Sequence, residues 1–119
     1  MKLLIVDDNK EFVEVQKELL EAHGFDVIAA YSGNEGLEAL SRLTVDMVIS
    51  DISMPDGDGV YLLEESKKLT DCPIVVLMTG HSDISEADLL VKGAAALLKK
   101  PVKIADLVEK IHNLSSQGE

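Results

Sequence analysis

The stretch Leu3-Leu4-Ile5-Val6-Asp7-Asp8 opens the 119-residue chain with an uninterrupted apolar run that ends in two acids. Apolar residues that do not alternate with polar ones are typical of a strand covered on both faces, as in a parallel sheet. Four further runs repeat this pattern, at residues 27–30, 47–49, 74–78 and 95–98. The sequence therefore predicts five buried parallel strands.

The segments between these runs have apolar residues at the three- and four-residue spacing of amphipathic helices. The apolar positions fall into three groups: Phe12, Val15 and Leu19; Leu37, Leu40 and Leu43; and Ile104, Leu107, Val108 and Ile111. Asn9 can cap the first helix, and Ser32 followed by Glu35 forms a capping-box pattern. Alternating strands and helices predict an α/β fold with a doubly wound parallel sheet and helices on both faces.

The length and composition indicate a single compact domain. Hydrophobic residues make up 46% and charged residues 28% of the chain, which has room for one core. We expect this domain to span residues 1–114. Residues 115–119 are expected to form a loose tail or a truncated linker.

The charge balance argues against two classes of partner. The chain has 22 acidic and 11 basic residues, a formal net charge of −11. Nucleic acids and anionic membrane surfaces are bound largely through Lys and Arg, so we expect neither as a direct partner. No apolar run approaches the roughly 18 residues of a membrane span. The only cysteine, Cys72, is expected to be a small buried residue, and its solitary presence favours a reducing cytoplasm.

Polar side chains follow four of the five predicted strands, where ligands of such sheets bind. Asp7 and Asp8 follow the first strand, Asp51 the third, Thr79 the fourth and Lys100 the fifth. Because the carboxyl ends of parallel strands share one edge, we expect three carboxylates, a hydroxyl and an ammonium to meet there. A purely structural alternative, in which Asp7 and Asp8 merely favour the start of a helix, leaves the other three unexplained.

Clustered carboxylates repel one another unless a cation lies between them. A hard divalent ion with oxygen ligands, such as Mg²⁺, fits such a cluster and also binds phosphate oxygens. A remaining carboxylate can act as the nucleophile of aspartyl-phosphate chemistry. The hydroxyl and the ammonium can stabilise phosphoryl oxygens as charge shifts.

These residues lie in motifs that resemble those of response-regulator receiver domains, the phosphoacceptor half of two-component signalling, which include the chemotaxis receivers. The resemblance covers residues 2–114. Its motifs are Leu3-Leu4-Ile5-Val6-Asp7-Asp8-Asn9, Asp51-Ile52-Ser53-Met54-Pro55-Asp56-Gly57-Asp58-Gly59, Met78-Thr79-Gly80-His81 and Lys100-Pro101. The resemblance implies a flavodoxin-like sheet of five parallel strands in the order 2-1-3-4-5.

The resemblance also implies roles for individual residues. Asp51 corresponds to the phosphorylated aspartate, and Thr79 to the switch hydroxyl that turns toward the phosphoryl group. Lys100 corresponds to the lysine that pairs with the aspartate and the phosphate, preceding Pro101 through a bond that is typically cis. Its neighbour Lys99 is expected to lie on the opposite strand face, in solvent.

The metal site implied by the resemblance holds Mg²⁺, or Mn²⁺ in its place. Asp8 and Asp51 correspond to direct ligands, and Asp7 to an acid that often acts through water. The backbone carbonyl of Ser53 would complete the protein ligands.

The implied function is that of a phosphorelay switch. A sensor histidine kinase or a histidine phosphotransfer protein would donate the phosphoryl group to Asp51, and a downstream output domain or protein would respond. Such a domain promotes its own phosphorylation and dephosphorylation but is not a turnover enzyme. The first alternative is a receiver-like interaction module that is not phosphorylated. A less favoured alternative, a haloacid-dehalogenase-type phosphatase, rests on the acids of Asp56-Gly57-Asp58-Gly59.

Three positions bear on how such a switch is tuned or coupled to its output: Pro101, whose bond to Lys100 is described above, Leu97 and His81. Many family members have Tyr or Phe three residues before the lysine, where this chain has Leu97. Coupling through an aromatic rotamer is therefore absent at this position. His81 lies two residues after Thr79, at the mouth of the expected site, where it could influence access of water to a phosphoaspartate.

Overall fold

A computed structural model describes residues 1–81 and 84–117, the last of these by its backbone only. Strands and helices alternate through ten elements. In chain order they are β1 (Lys2–Val6), α1 (Lys10–Ala22), β2 (Asp26–Ala30), α2 (Gly33–Arg42), β3 (Met47–Asp51), α3 (Gly59–Ser66), β4 (Ile74–Thr79), α4 (Glu86–Val91), β5 (Ala96–Lys99) and α5 (Ile104–Gln117). The five strands pair in parallel in the order 2-1-3-4-5. The predicted fold class is confirmed.

The sheet is covered on both faces, which explains why its strands lack polar alternation. In β1, Leu4 and Val6 belong to a core cluster that α2, α3 and α4 complete. Leu3 and Ile5 point to the opposite face, into a second cluster completed by α1 and α5. All four side chains are fully buried. This two-sided burial is why residues 3–6 of β1 are all apolar.

The buried face of α1 differs from the predicted one. Val13, Gln16 and Leu20 are buried, whereas Val15 and Leu19 are exposed. The helix has apolar residues on two overlapping stripes, and spacing alone does not distinguish them. The stripe that packs against the sheet includes a glutamine, which the pattern of apolar residues could not reveal.

The starts of the first two helices follow the predicted capping. Asn9 accepts a hydrogen bond through its side chain from the Phe12 N–H (3.1 Å), and Ser32 from that of Glu35 (3.1 Å). The capping box is incomplete, because the Glu35 carboxylate accepts from the N–H of Tyr31 (3.2 Å) and not from that of Ser32. The cap of α1 matters for the site, since it fixes the turn that follows Asp7 and Asp8.

Three smaller features concern the rest of the chain. Cys72 is exposed, not buried as predicted, because it lies in the turn before β4. Helix α5 continues to Gln117, so residues 115–117 of the expected tail are helical, while residues 118–119 lie outside the described part. The domain boundary stays a prediction. Within the described ranges, no helix is long and apolar enough to cross a membrane.

Candidate functional site

The parallel strands bring the predicted site residues to the carboxyl edge of the sheet. Asp7 directly follows β1, Asp51 ends β3, and Thr79 ends β4. Lys100 directly follows β5, and its backbone N–H donates to the carbonyl of Thr79 (2.8 Å). These four residues therefore come from four neighbouring strand ends, as the sequence predicted.

Three carboxylates form the centre of this site. Asp7, Asp8 and Asp51 each offer an oxygen, and these oxygens lie within 4.8 Å of one another. Asp7 is almost fully buried and Asp51 is buried, whereas Asp8 is exposed. One oxygen of Asp7, Oδ1, accepts a hydrogen bond from the N–H of Asn9 (3.0 Å), which orients the carboxylate.

This donor set fits a hard divalent cation. All three side chains offer oxygen, the ligand atom that Mg²⁺ prefers, and exposed Asp8 leaves one side open to water, which Mg²⁺ usually retains. Ser53 lies in the loop immediately after β3, where its backbone carbonyl is two residues from Asp51. Receiver domains bind Mg²⁺ through acidic residues, and this cluster could hold such an ion.

Lys100 supplies a positive charge beside the carboxylates. Its Nζ lies 2.8 Å from Oδ2 of Asp7 and 3.5 Å from Oδ1 of Asp51. Burial alone would lower the pKa of Lys100. The hydrogen bond and charge of Asp7, with the charge of Asp51, outweigh burial and hold that pKa above its usual value. The side chain is therefore an ammonium at neutral pH.

Asp51 is in the opposite situation. Burial raises the pKa of its carboxyl, Lys100 opposes that rise, and the negative charge of Asp7 adds to it. The net result is a pKa above the ordinary aspartate value. One ammonium therefore compensates the two buried carboxylates incompletely, and an additional cation would favour the ionised, nucleophilic form of Asp51.

Thr79 lies beside this cluster with 1% of its surface exposed. Its Oγ1 accepts a hydrogen bond from the backbone N–H of His81 (3.0 Å). Residue His81 is exposed. The hydroxyl is thus hydrogen-bonded to the start of the segment that leads from β4 toward α4. Residues 82–83 of this segment lie outside the described part of the chain.

The two adjacent lysines separate as predicted. Lys100 points to the carboxylates, whereas Lys99 is exposed and its Nζ lies 3.5 Å from the carbonyl oxygen of Ile84. The peptide bond between Lys100 and Pro101 is cis, as the resemblance implied.

The loop after β3 uses its acids structurally. Asp58 caps α3 by accepting a hydrogen bond from the N–H of Tyr61 (2.8 Å). Asp56 accepts one from the side-chain amide of Asn34 in α2 (2.7 Å). These roles support a turn, and not the phosphatase signature, as the account of the acids at positions 56 and 58.

Leu97 is buried against α4 at the position where many family members have an aromatic residue. Its side chain belongs to the core cluster on the α2, α3 and α4 face. Its backbone N–H donates to Oε2 of Glu86, the first residue of α4 (3.0 Å). A side-chain carboxylate therefore ties β5 to the start of α4.

One neighbour of the site, Phe12, was not predicted from the sequence. Phe12 was assigned only to the apolar stripe of α1, but the Nζ of Lys100 lies 4.8 Å from the centre of its ring. The available signal was its place in the first turn of a helix that starts directly after Asp7 and Asp8. Spacing could not show that the ring faces a lysine 88 positions further along the chain.

Comparison with known proteins gives consistent matches across nearly the whole chain. The family model described as "Response regulator receiver domain" matches residues 3–112. The transcriptional regulatory protein CpxR of Escherichia coli K12 is 34% identical over 110 residues, which cover 92% of this chain and 47% of that protein. The chain thus spans about half the length of this curated relative.

Solved structures agree with the sequence matches. A receiver domain protein from Clostridium thermocellum is 38% identical, with a TM-score of 0.89 over 98% of this chain and 95% of that one. A CheY-like receiver domain protein from Methanospirillum hungatei JF-1 is 32% identical, with a TM-score of 0.91 over 98% and 94% of the two chains.

Proposed function

Since this chain belongs to the family of response regulator receiver domains of two-component systems, we propose that Asp51 accepts a phosphoryl group in an Mg²⁺-dependent reaction. The family predicted from the sequence motifs is confirmed. Receiver domains are signalling switches and generally not turnover enzymes, and we propose the same for this chain.

One observation carries the proposal. Three carboxylates, from Asp7, Asp8 and Asp51, lie within one ion's reach, and the ammonium of Lys100 lies 3.5 Å from Asp51. A purely structural role explains neither the buried like charges nor the raised pKa of Asp51. A site that handles a dianionic phosphoryl group needs this density of ligands and positive charge.

The chain's own residues account for the chemistry as follows. A carboxylate oxygen of Asp51 attacks the phosphorus in line, forming an O–P bond as the bond to the donor's leaving group breaks. Lys100 holds its ammonium beside Asp51, where it balances charge on the transferred phosphoryl oxygens. Asp7, Asp8 and Asp51, with the Ser53 carbonyl, would hold Mg²⁺ or Mn²⁺, which supplies charge neutralisation for the incoming phosphate.

Thr79 connects the chemistry to a conformational response. Its hydroxyl now accepts a hydrogen bond from the His81 N–H, and turning toward a phosphoryl group on Asp51 would break that bond. The segment leading to α4 would then shift, favouring a second pre-existing conformation. This conformational response does not require an aromatic residue at position 97, which is a leucine in this chain. We propose further that His81, which is exposed, influences the access of water to the phosphoaspartate.

The partners follow from the family and from the charge of the chain. We propose a cytoplasmic protein that receives its phosphoryl group from a sensor histidine kinase or a histidine phosphotransfer protein. CpxR is named a transcriptional regulatory protein and is about twice as long. By analogy, output belongs to another domain or protein, and with a net charge of −11 this domain does not itself bind nucleic acid.

Incubation with acetyl phosphate tests the proposal. Intact mass is measured with Mg²⁺ and with excess EDTA, for the wild type and for Asp51→Ala. We expect one added phosphoryl group only in the wild type with Mg²⁺. An unlabelled wild type would favour the alternative of an unphosphorylated interaction module, and a labelled Asp51→Ala would move the acceptor elsewhere.

A further inference from the structure

The ammonium of Lys100 has a third neighbour besides its two carboxylates. The Nζ lies 4.8 Å from the centre of the Phe12 ring, within the roughly 6 Å at which a cation is attracted to an aromatic face. The Lys100 side chain is 26% exposed, so a route into solvent is open to it. What holds the ammonium over the site therefore matters for the proposed function.

The position of the ring follows from the start of α1. The Asn9 side chain accepts a hydrogen bond from the Phe12 N–H (3.1 Å) and fixes the first helical turn. Asn9 also donates its own N–H to Asp7 (3.0 Å), so the same cap orients the carboxylate and the ring. Phe12 is partly buried against the second core cluster, with its ring toward Lys100. An aliphatic side chain could fill this space but would present no aromatic face.

The three neighbours of the ammonium differ in one respect. Asp7 and Asp51 also belong to the carboxylate cluster that fits a divalent cation. Once a second cation shares their negative charge, both attract the ammonium less strongly. The attraction of the Phe12 ring depends on its quadrupole and is not shared in this way.

We propose that Phe12 is a positioning residue for Lys100: its ring keeps the ammonium near Asp51 when a divalent cation shares the carboxylates. This inference rests on the proposed phosphoacceptor function and adds to it an aromatic residue that is not one of the proposed metal ligands. Phe12 acts only by fixing the position of the Lys100 ammonium.

The rate of labelling by acetyl phosphate at saturating Mg²⁺ provides the first test. We expect Phe12→Leu to slow labelling about two- to fivefold, the range of cation–π pairs at partly exposed sites, and Phe12→Tyr to retain the wild-type rate. Ring fluorination at position 12 keeps shape while weakening the quadrupole, so mono-, di- and trifluorophenylalanine should slow labelling progressively. These variants also keep the test valid if Phe12→Leu folds poorly.

The chain offers a matched control, because its only other phenylalanine is Phe25. Phe25 is buried and packs 5.6 Å from the ring of His112. The same fluorinated residues at position 25 should leave the labelling rate unchanged. In a Lys100→Met background, which lacks the ammonium, replacing Phe12 with Leu should have no further effect on the residual rate.

A structural readout is independent of labelling. In the wild type with Mg²⁺, NMR should show the Lys100 side-chain methylene signals shifted upfield by the ring, and Phe12→Leu should abolish the shift. Mg²⁺ affinity, measured by titration calorimetry, should not weaken in Phe12→Leu. A general loss of structure would weaken both affinity and rate.

The outcomes separate this inference from the proposed function. If the wild type is not labelled, the proposed function fails and the inference fails with it. If the wild type is labelled and Phe12→Leu is labelled equally fast, only the inference is overturned. It is also overturned if the deficit persists in the Lys100→Met background or the upfield shift is absent in the Mg²⁺-bound wild type.

Discussion

Asp51 is the site residue whose charge is most unfavourable for folding. Its carboxyl is buried between a neighbouring carboxylate and a single ammonium, and burial raises its pKa despite the opposing charge of Lys100. In the absence of a divalent cation, the charged form of Asp51 therefore opposes folding at neutral pH.

This situation predicts a stabilising substitution. Asp51→Asn removes the charge and keeps the shape, while Lys100 retains its 2.8 Å pair with Asp7. In metal-free buffer at pH 7 we expect the free energy of unfolding to rise by about 0.5–2 kcal/mol, measured with urea. A less stable variant would mean that the pairing of Asp51 with Lys100 outweighs the cost of burial.

The raised pKa of Asp51 also fixes the sign of a pH dependence. At pH values below the ordinary aspartate pKa of 3.8, the carboxyl is protonated in both the folded and the unfolded chain. As the pH rises through 3.8 toward the folded-state pKa, the unfolded state releases its proton first, and the contribution of Asp51 to wild-type stability declines. The stability difference between Asp51→Asn and the metal-free wild type should therefore grow across this window and then level off. A difference that shrinks with rising pH would contradict the sign.

The grouping of the site residues could be predicted from the sequence, because polar residues that follow apolar strands of a parallel sheet lie at the same edge. Asp7, Asp51, Thr79 and Lys100 each lie at or just after the end of a strand, and parallel strands share that edge. The neighbour Phe12 could not be predicted, because its contact depends on where a helix turns its first side chains.

At the level of elements, the turn between β3 and α3 depends on one close approach. A Cβ built on Gly59 would lie 2.4 Å from the carbonyl oxygen of Asp51 and 3.0 Å from the Cα of Ile52. Both neighbours are backbone atoms and cannot give way without moving the strand end that holds Asp51, the proposed phosphoacceptor.

We therefore expect Gly59→Ala to destabilise the fold by about 3 kcal/mol or more, measured by urea unfolding. Gly80→Ala is the matched control, since nothing lies within 4 Å of its added Cβ, and should change stability by less than about 0.5 kcal/mol. Equal stability of both variants would show that the turn is freer than its backbone contacts indicate.

The helix α1 shows what periodicity cannot decide. The predicted stripe included Val15 and Leu19, but the buried one includes Gln16. Several apolar residues lie within one turn of each other, so only packing against the sheet selects the face. A polar residue on the selected face is invisible to a pattern built from apolar positions.

Gln16 makes this misassignment testable. Its Oε1 is buried and has no hydrogen-bond partner within the described part of the chain. An unsatisfied buried carbonyl costs about 1–3 kcal/mol, so Gln16→Met, similar in volume and apolar, should raise thermal stability. Gln16→Glu, which buries a charge at the same place, should lower it. If Gln16→Met were destabilising, the amide would have a compensating partner.

For the whole molecule, the sequence predicted a doubly wound parallel sheet because all five strands are short, largely apolar and separated by helical segments. Chirality and short connections then leave few arrangements of a parallel sheet. The strand order 2-1-3-4-5 came from the family resemblance and not from the periodicity, which does not specify which strands are neighbours. The net charge of −11 predicted that nucleic acids and anionic membranes are disfavoured as partners. The cognate kinase and the output depend on surface details that composition does not specify.

A cation that binds only the folded chain stabilises the whole domain by mass action. Millimolar Mg²⁺ should therefore raise the melting temperature of the wild type, and Asp8→Asn should abolish most of that rise. Asp88→Asn, the same change at an exposed residue of α4, is the control and should leave the rise intact. An equal rise in all three proteins would show that Mg²⁺ acts through general charge screening.

The most direct measurement converts the acyl phosphate into a permanent mark. After treatment with acetyl phosphate and Mg²⁺, reduction with borohydride turns a phosphorylated aspartate into homoserine, and peptide mass spectrometry locates it. We predict homoserine at position 51 alone, and none when EDTA replaces Mg²⁺. Homoserine at position 7 or 8, or an unmodified Asp51 in a protein that binds Mg²⁺ normally, would contradict the assignment of Asp51 as the phosphoacceptor.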